Sequence, residues 1–224
     1  MTKDPIQDSL DVTKECVYRE LCDANIYYSL MFKWINGLVG IKTFNREFEG
    51  LCHFLKDALE TKYIFALAKV FARSKEAGLW RLIRQVKDVS KAFIEIKLER
   101  HAHIRDESTR NRKEFLSRFD EYEKKIKEIS DKISPYRNIQ RAHNIPWWNH
   151  DSEETWNQTK EWLSFAETVY VQAMDGICGG SCRIGEFYPS ELNGQIKYFV
   201  QLIEKGLVDA KREKDELIRK TVEK

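Results

Sequence analysis

Hydrophobic residues recur along most of the chain at alternating steps of four and three, the spacing that places side chains on one face of an α-helix. One such series covers residues 17–38 and is closed by the glycine-containing stretch 37–40. A second series covers residues 48–70. A short apolar turn at 79–86 predicts a third, shorter helix. The pattern therefore predicts consecutive helices from the start of the chain.

The most regular series lies in the middle of the chain and keeps its spacing for three heptads, with Glu and Lys on the other faces. Its members are Phe115, Phe119, Tyr122, Ile126, Ile129, Ile133 and Tyr136. A stripe of this kind packs into a helical bundle or forms the seam of a dimer. Ser134-Pro135, near its end, predicts a kink or a new helix start, because proline fits a first turn and disrupts an interior one.

Two more helices are predicted after this series. Asp151 and Glu154 have the spacing of a capping box, which predicts a helix with apolar positions from 163 to 173. Pro189 opens a long last helix over residues 189–222. The 10 glycines and 4 prolines are too few for the turns of an all-β fold, and no convincing strand is present. We expect one all-α domain over residues 1–224, a bundle of about five or six helices.

Composition limits the classes of function. The net charge of +2 does not by itself imply nucleic-acid binding, although residues 100–141 carry twelve Lys and Arg against eight Asp and Glu. That local excess is either a solvated helix face or a polyanion surface. The N-terminus lacks the basic start and apolar run of a signal peptide, and no apolar stretch approaches a membrane span. Five cysteines, an odd number, suit reduced thiols, so we expect a cytoplasmic protein without membrane attachment.

The stretch RNIQRAH contains the candidate chemistry. Arg137 offers a permanent cation whose planar fork fits a phosphate, and His143 can move a proton near neutral pH. Asn138 can orient the histidine or bind a substrate oxygen. This set is sufficient for RNA cleavage without a metal. Positions six apart point about 120° away from each other on a straight helix. The two groups can meet only if the helix bends or ends between them, or if a second subunit supplies one of them.

These residues resemble the signature of the HEPN superfamily, an arginine, a polar residue and a histidine a few places on. The surrounding sequence is similar to the abortive-infection (AbiU-type) branch, whose pattern is matched here by YIFALAKVFARS, GLWRLIRQV and RNIQRAH. The resemblance is centred on residues 45–175. It departs from the family pattern at Gly78-Leu79, where a serine-leucine helix start is expected, and at residues 90–112, which are either an insertion or an extended helix.

The resemblance implies a helical bundle that dimerises with two motifs facing each other across a cleft. It also implies metal-independent endoribonuclease activity in toxin–antitoxin or phage-defence systems, often with a small nucleotidyltransferase as antitoxin. Arg137 would then stabilise the scissile phosphate, Asn138 would support the site, and His143 would act as acid and base. Arg141 is a candidate for binding a second phosphate of the RNA. No cofactor and no metal are expected.

Two other functions remain open. The chain could be a HEPN-type module that binds RNA or a nucleotide without cleaving it. It could also be a structural helical protein whose 115–136 stripe serves a partner. The loose arginine–histidine spacing is weak evidence alone, because Arg46 and His53 also satisfy it and are interpreted as helix-surface residues. Further candidates are interpreted as structural: the pair His101 and His103, the tryptophans 147–148, and the thiols of the C-x3-C stretch 178–182.

Overall fold

The computed structural model describes residues 5–35, 37–38, 41–73, 78–100, 107–143, 153–178 and 190–222. Within these ranges the chain forms six α-helices and a π-helix, and no strand. In chain order these are α1 Pro5–Ser29, the π-helix Leu30–Ile35, α2 Lys42–Val70, α3 Leu79–Arg100, α4 Glu107–His143, α5 Glu153–Cys178 and α6 Ser190–Val222. The predicted all-α fold with five or six helices is confirmed. None of the helices in these ranges combines the length and apolarity needed to cross a bilayer.

Helix lengths differ from the prediction in two places. The first series does not form one α-helix, because α1 ends at Ser29 and the chain continues as the π-helix Leu30–Ile35. The helix predicted over 79–86 is present and extends to Arg100, so only its predicted length was too short. The described parts of the stretch 90–112 are helical at the end of α3 and the start of α4, as in an extended helix. Residues 100 and 107 are separated by a gap in the described chain.

The structure also corrects the interpretation of Ser134-Pro135. Helix α4 runs from Glu107 to His143 with Pro135 inside it, so no new helix begins there. Proline has no N–H to donate to the carbonyl four residues earlier, which is that of Asp131. The hydroxyl of the preceding residue, Ser134, donates a hydrogen bond of 2.8 Å to the carbonyl of Ser130. The last two turns of α4 therefore continue past a proline whose amide contributes nothing to the helix.

The chain divides into two compact units, each built from two separate stretches. The first comprises Met1–Asn25 and Tyr63–Phe187, and the second comprises Ile26–Lys62 and Tyr188–Lys224. The prediction of one domain over residues 1–224 stays a prediction.

In the first unit, α3, α4 and α5 pack against one another. The α4 stripe supplies part of this core, since Phe119, Ile126, Ile129 and Ile133 are at most 3% exposed. The alternatives of bundle core and dimer seam are thus resolved for these residues: the stripe packs within the chain. A partner protein cannot use these four residues while the unit stays folded.

The segment between α2 and α3 is held tightly at both ends. Phe71 is fully buried, and its ring stacks on Phe165 of α5 with an interplanar angle of 5°. Gly78 has φ +114°, and a Cβ there would lie 2.5 Å from the carbonyl oxygen of Ala72. Only glycine adopts this conformation without strain. A core aromatic and a glycine thus hold the two described ends of this segment, residues 71–73 and 78.

In the second unit, α6 packs against the π-helix. Ile196 is buried, and a Cβ on Gly37 would lie 3.2 Å from Val200, so the chain approaches α6 closely at this glycine. Helix α6 also exposes large apolar side chains, namely Tyr198, Phe199, Leu202 and Val208. Its outer surface is therefore less polar than that of an ordinary solvated helix.

Candidate functional site

The four residues proposed from the sequence lie in the last two turns of α4. Helix α4 contains Arg137, Asn138 and Arg141, and His143 is its final residue. The helical backbone is described at these positions, whereas the four side chains lie outside the described residues. Their arrangement is therefore derived from the geometry of the helix that carries them.

One helix does not bring the arginine and the histidine to the same face. With 100° per residue, Arg137 and His143 are separated by about 120° around the axis and about 9 Å along it. Arg137 and Arg141 differ by only about 40°, so they share a face. The sequence left open a helix that ends between Arg137 and His143, and the structure removes that possibility. Two copies of the chain can still bring the two groups together.

An ion pair lies on α4 just before the motif. The guanidinium Nη2 of Arg73, in the segment that follows α2, donates to the Asp131 carboxylate Oδ1 at 2.6 Å. Both side chains reach solvent, with exposed fractions of 40% and 54%. Sequence reasoning missed Arg73 because its partner is 58 residues away along the chain. No local pattern indicates that contact.

A polar pair, with Asn25 buried and Glu167 half-buried, joins α1 to α5 within the first unit. The Asn25 amide Nδ2 donates to the Glu167 carboxylate Oε1 at 2.6 Å and to the Leu21 carbonyl at 3.0 Å. Burial raises the pKa of the Glu167 carboxyl, and the hydrogen bond from Asn25 opposes this by favouring the charged form. A signal was available in the sequence, since both residues interrupt otherwise apolar helix faces.

The remaining sequence candidates add no second site among the described residues. His53 lies 3.8 Å from Glu49 on the surface of α2, and both side chains are about 70% exposed. This supports the interpretation of His53 as a helix-surface residue, whereas the side chain of Arg46 lies outside the described residues. Within the described chain no three His, Cys, Asp or Glu residues form a group able to hold a metal ion. His101, His103, Trp147, Trp148, Asp151 and Cys182 lie outside the described residues.

Comparison with known proteins identifies one family. The HEPN family model described as AbiU2 matches residues 7–181, which is 175 of the 224 residues. The match begins in α1 and extends beyond α5, so it is wider than the 45–175 range in which the sequence resemblance was centred. It includes the positions of Arg137 and His143. The assignment of these residues to a catalytic motif stays a prediction. No curated protein and no solved structure matched the chain.

Proposed function

The chain belongs to the AbiU2 family of HEPN proteins, and from that premise we propose that it is a metal-independent endoribonuclease of toxin–antitoxin or phage-defence type. The observation that carries the proposal is the position of Arg137 and His143. Both lie within the family-matched range and at the C-terminal end of a single long helix. A guanidinium suited to phosphate and an imidazole suited to proton transfer thus lie six residues apart on the helix whose apolar residues pack in the first unit.

Arg137 is proposed to bind the phosphate at which the RNA chain is cut. Attack of the ribose 2′-hydroxyl on phosphorus forms the P–O2′ bond and breaks the P–O5′ bond. Negative charge on the nonbridging oxygens increases on the way to the transition state. A guanidinium keeps its charge at every physiological pH and can hold two of these oxygens in one plane. It therefore stabilises the transition state more than the ground state.

His143 is proposed to move a proton in the same reaction. As a neutral imidazole it can take the proton of the 2′-hydroxyl, and as an imidazolium it can give a proton to the departing 5′ oxygen. The products are a 2′,3′-cyclic phosphate and a 5′-hydroxyl end. Asn138 is proposed to hold the imidazole or a substrate oxygen through its amide. Arg141, about 40° from Arg137 around the helix, is proposed to bind a neighbouring phosphate.

The active form is proposed to be a homodimer. Within one chain, α4 separates Arg137 and His143 by about 120°. The two side chains of one copy are therefore not expected to act on the same phosphodiester. Two α4 ends related by a twofold axis would place the arginine of one copy opposite the histidine of the other. Each dimer would then contain two equivalent composite sites.

The biological setting is proposed from the family alone. An endoribonuclease that attacks cellular RNA must be restrained until it is needed, and a nucleotidyltransferase-type antitoxin is the partner that the family resemblance implies. The ribonuclease activity can be tested independently of that partner.

The test is cleavage of a single-stranded RNA by the purified protein in the presence of EDTA. We expect 5′-hydroxyl and 2′,3′-cyclic phosphate ends, and a loss of at least about a hundredfold in rate for His143→Ala because the proton carrier is removed. His53→Ala is the matched control, since it removes an exposed imidazole from α2 and should leave the rate unchanged. Circular dichroism should show equal helix content in all three proteins.

Two results would contradict the proposal. Equal cleavage by wild type and His143→Ala would assign the activity to another group or a contaminant. RNA that is bound tightly and never cut would favour the non-catalytic binding module instead.

A further inference from the structure

We propose that helix α6 binds a second copy of this chain, through an antiparallel pair of α6 helices centred on Leu202. The inference goes beyond the proposed function, because two copies can associate in this way whether or not the protein cleaves RNA. It starts from the distribution of exposed apolar side chains. Most of the large ones in the described chain lie in the second unit, and Tyr198, Phe199 and Leu202 of α6 are 45–64% exposed.

These three residues lie in one sector of the surface of α6. Around the helix axis, Tyr198, Leu202 and Phe199 lie at about 0°, 40° and 100°. Ile196 lies at about 160° and is buried, within the unit in which α6 packs against the π-helix. An apolar groove of about 330 Å³, lined by Leu30, Gln195, Ile196 and Phe199, adjoins the sector. Leu202 is therefore near the middle of an exposed apolar surface that Phe199 connects to the groove.

The size of this surface suits a weak dimer. An aromatic side chain has about 150–250 Å² of surface, so the exposed fractions of Tyr198 and Phe199 correspond to roughly 200 Å² in each copy. With Leu202, two copies would remove on the order of 500–600 Å² of apolar surface from water. Interfaces are slightly more than half apolar, so the total would be about 1,000 Å², as in the smallest specific interfaces. We expect a dissociation constant on the order of 1–10 µM.

The charges of α6 favour a protein partner and an antiparallel direction. The helix has seven Lys and Arg against six Asp and Glu, whereas a helix that binds an anionic lipid surface carries an excess of basic residues. In a parallel pair each residue would face its equivalent, so two Lys205 and two Asp209 would meet beside Leu202. An antiparallel pair avoids both contacts. It places Gln195 opposite Asp209 of the second copy, and Lys205 beside the ring of Tyr198.

Gly206 supplies the room that this pairing needs. A Cβ at Gly206 would have no atom within 4 Å. Gly206 lies about 20° from Phe199 around the axis, so in the antiparallel pair Phe199 of each copy packs over Gly206 of the other. The carboxylate of Asp209 is half exposed and can accept a hydrogen bond from the amide of Gln195. The surface is therefore complementary to itself, as an interface about a twofold axis requires.

The experiment measures the mass of the full chain by sedimentation velocity between about 0.5 and 50 µM. We expect the wild type to change from monomer to dimer over this range. Leu202→Glu should raise the dissociation constant at least about tenfold, because two carboxylates would meet at the twofold axis. Val208→Glu is the matched control: it adds the same charge at an exposed apolar residue of α6, about 120° from Leu202, and should leave the dissociation constant unchanged.

A second variant separates a specific contact from non-specific association. Gly206→Leu adds apolar surface to α6 and replaces glycine by a better helix former. The added side chain occupies the space that Phe199 of the second copy needs. We expect weaker dimerisation together with an unchanged or higher Tm. Non-specific association through exposed apolar surface would instead become stronger in this variant, and that result would overturn the proposed pairing.

The outcomes distinguish this inference from the proposed function. A wild type that stays monomeric at every concentration would overturn both this inference and the composite site. A dimer that neither Leu202→Glu nor Gly206→Leu weakens would overturn only the pairing through α6, since the two copies would then meet elsewhere. If both variants weaken the dimer while the wild type cleaves no RNA, the pairing stands and the ribonuclease proposal fails. Circular dichroism of each variant checks that it is folded.

Discussion

Glu167 carries a carboxyl group on a helix face that is otherwise apolar. Its neighbours Ala166, Val169 and Tyr170 are at most 4% exposed. The amide of Asn25 donates a hydrogen bond of 2.6 Å to this carboxylate, which offsets part of the free-energy cost of burying it. Burial of a carboxylate costs free energy unless it is hydrogen-bonded, and the raised pKa shows that burial outweighs the hydrogen bond here.

This raised pKa predicts how stability depends on pH. In the unfolded chain the Glu167 carboxyl has its ordinary pKa, and in the folded chain the pKa is higher. Between the two values the folded state binds more protons, so the contribution of Glu167 to stability falls as pH rises through that window. Glu167→Gln keeps the acceptor for Asn25 and removes the charge. We expect the variant to have a higher Tm than the wild type at pH 7.

That gain should shrink as pH is lowered toward 4, where the wild-type carboxyl is protonated in the folded state. Differential scanning fluorimetry from pH 4 to 8 measures both proteins under the same conditions. Glu161→Gln, an exposed position in the same helix, is the control and should show no such trend. A lower Tm for Glu167→Gln at pH 7 would mean that the charge itself stabilises the fold.

At the scale of single residues, the sequence indicated those whose chemistry is recognisable from local spacing. Arg137, Asn138 and His143 form a compact motif that can be read along the chain. Arg73 could not be found in this way, because its partner on α4 is 58 residues away and the two meet only in the folded chain. A cation on a polar surface segment has no distinctive sequence environment.

Helix α4 combines the best-predicted core element with the candidate site. Four residues of its apolar stripe are buried in the unit where it packs against α3 and α5, and its last two turns carry the motif beyond Pro135. Proline in a helix interior removes one backbone hydrogen bond and crowds the carbonyl four residues earlier. The motif is thus held on a weakened helix segment, although the helix remains continuous.

Replacement of this proline tests the role of that segment. Pro135→Ala should restore a hydrogen bond to the Asp131 carbonyl and stabilise the chain by roughly 1–3 kcal/mol. Amide hydrogen exchange in the last two turns of α4 should slow. If the local shape at Pro135 positions the catalytic groups, RNA cleavage should fall although stability rises. Ser134→Ala, which removes only the 2.8 Å bond to Ser130, is the control for changes at this turn.

If Pro135→Ala changes neither the amide hydrogen exchange of α4 nor the Tm, the proline does not destabilise the helix. The prediction about stability would then be wrong, whatever the effect on cleavage.

At the scale of elements, apolar periodicity predicted where helices lie better than where they end. The stripe of α4 and the series in α2 are local signals, and both were observed as helices. The end of α3 was missed because residues 90–100, with the sequence SKAFIEIKLER, were read as part of an insertion or extension. The change from α-helix to π-helix at Leu30 does not alter the spacing of apolar residues by four and three, so the sequence pattern did not indicate it.

At the scale of the whole molecule, the AbiU2 match covers the chain from α1 to beyond α5 and leaves α6 outside it. The fold class was predictable from the sequence, since helical periodicity is a local property. The arrangement of Arg137 and His143 was not, because one helix separates these positions by about 120° and the proposed site takes one of the two groups from a second copy. A single sequence does not indicate which residues of two copies would face each other in a twofold-symmetric dimer.

Mixing two inactive variants tests the central claim most directly. Arg137→Ala and His143→Ala, each inactive alone, are unfolded together, refolded as an equal mixture and assayed for RNA cleavage in EDTA. Half of the dimers should be mixed, and each should hold one site with both residues intact, so we predict recovery of about a quarter of the wild-type rate. A mixture as inactive as its two components would contradict a site shared between two copies.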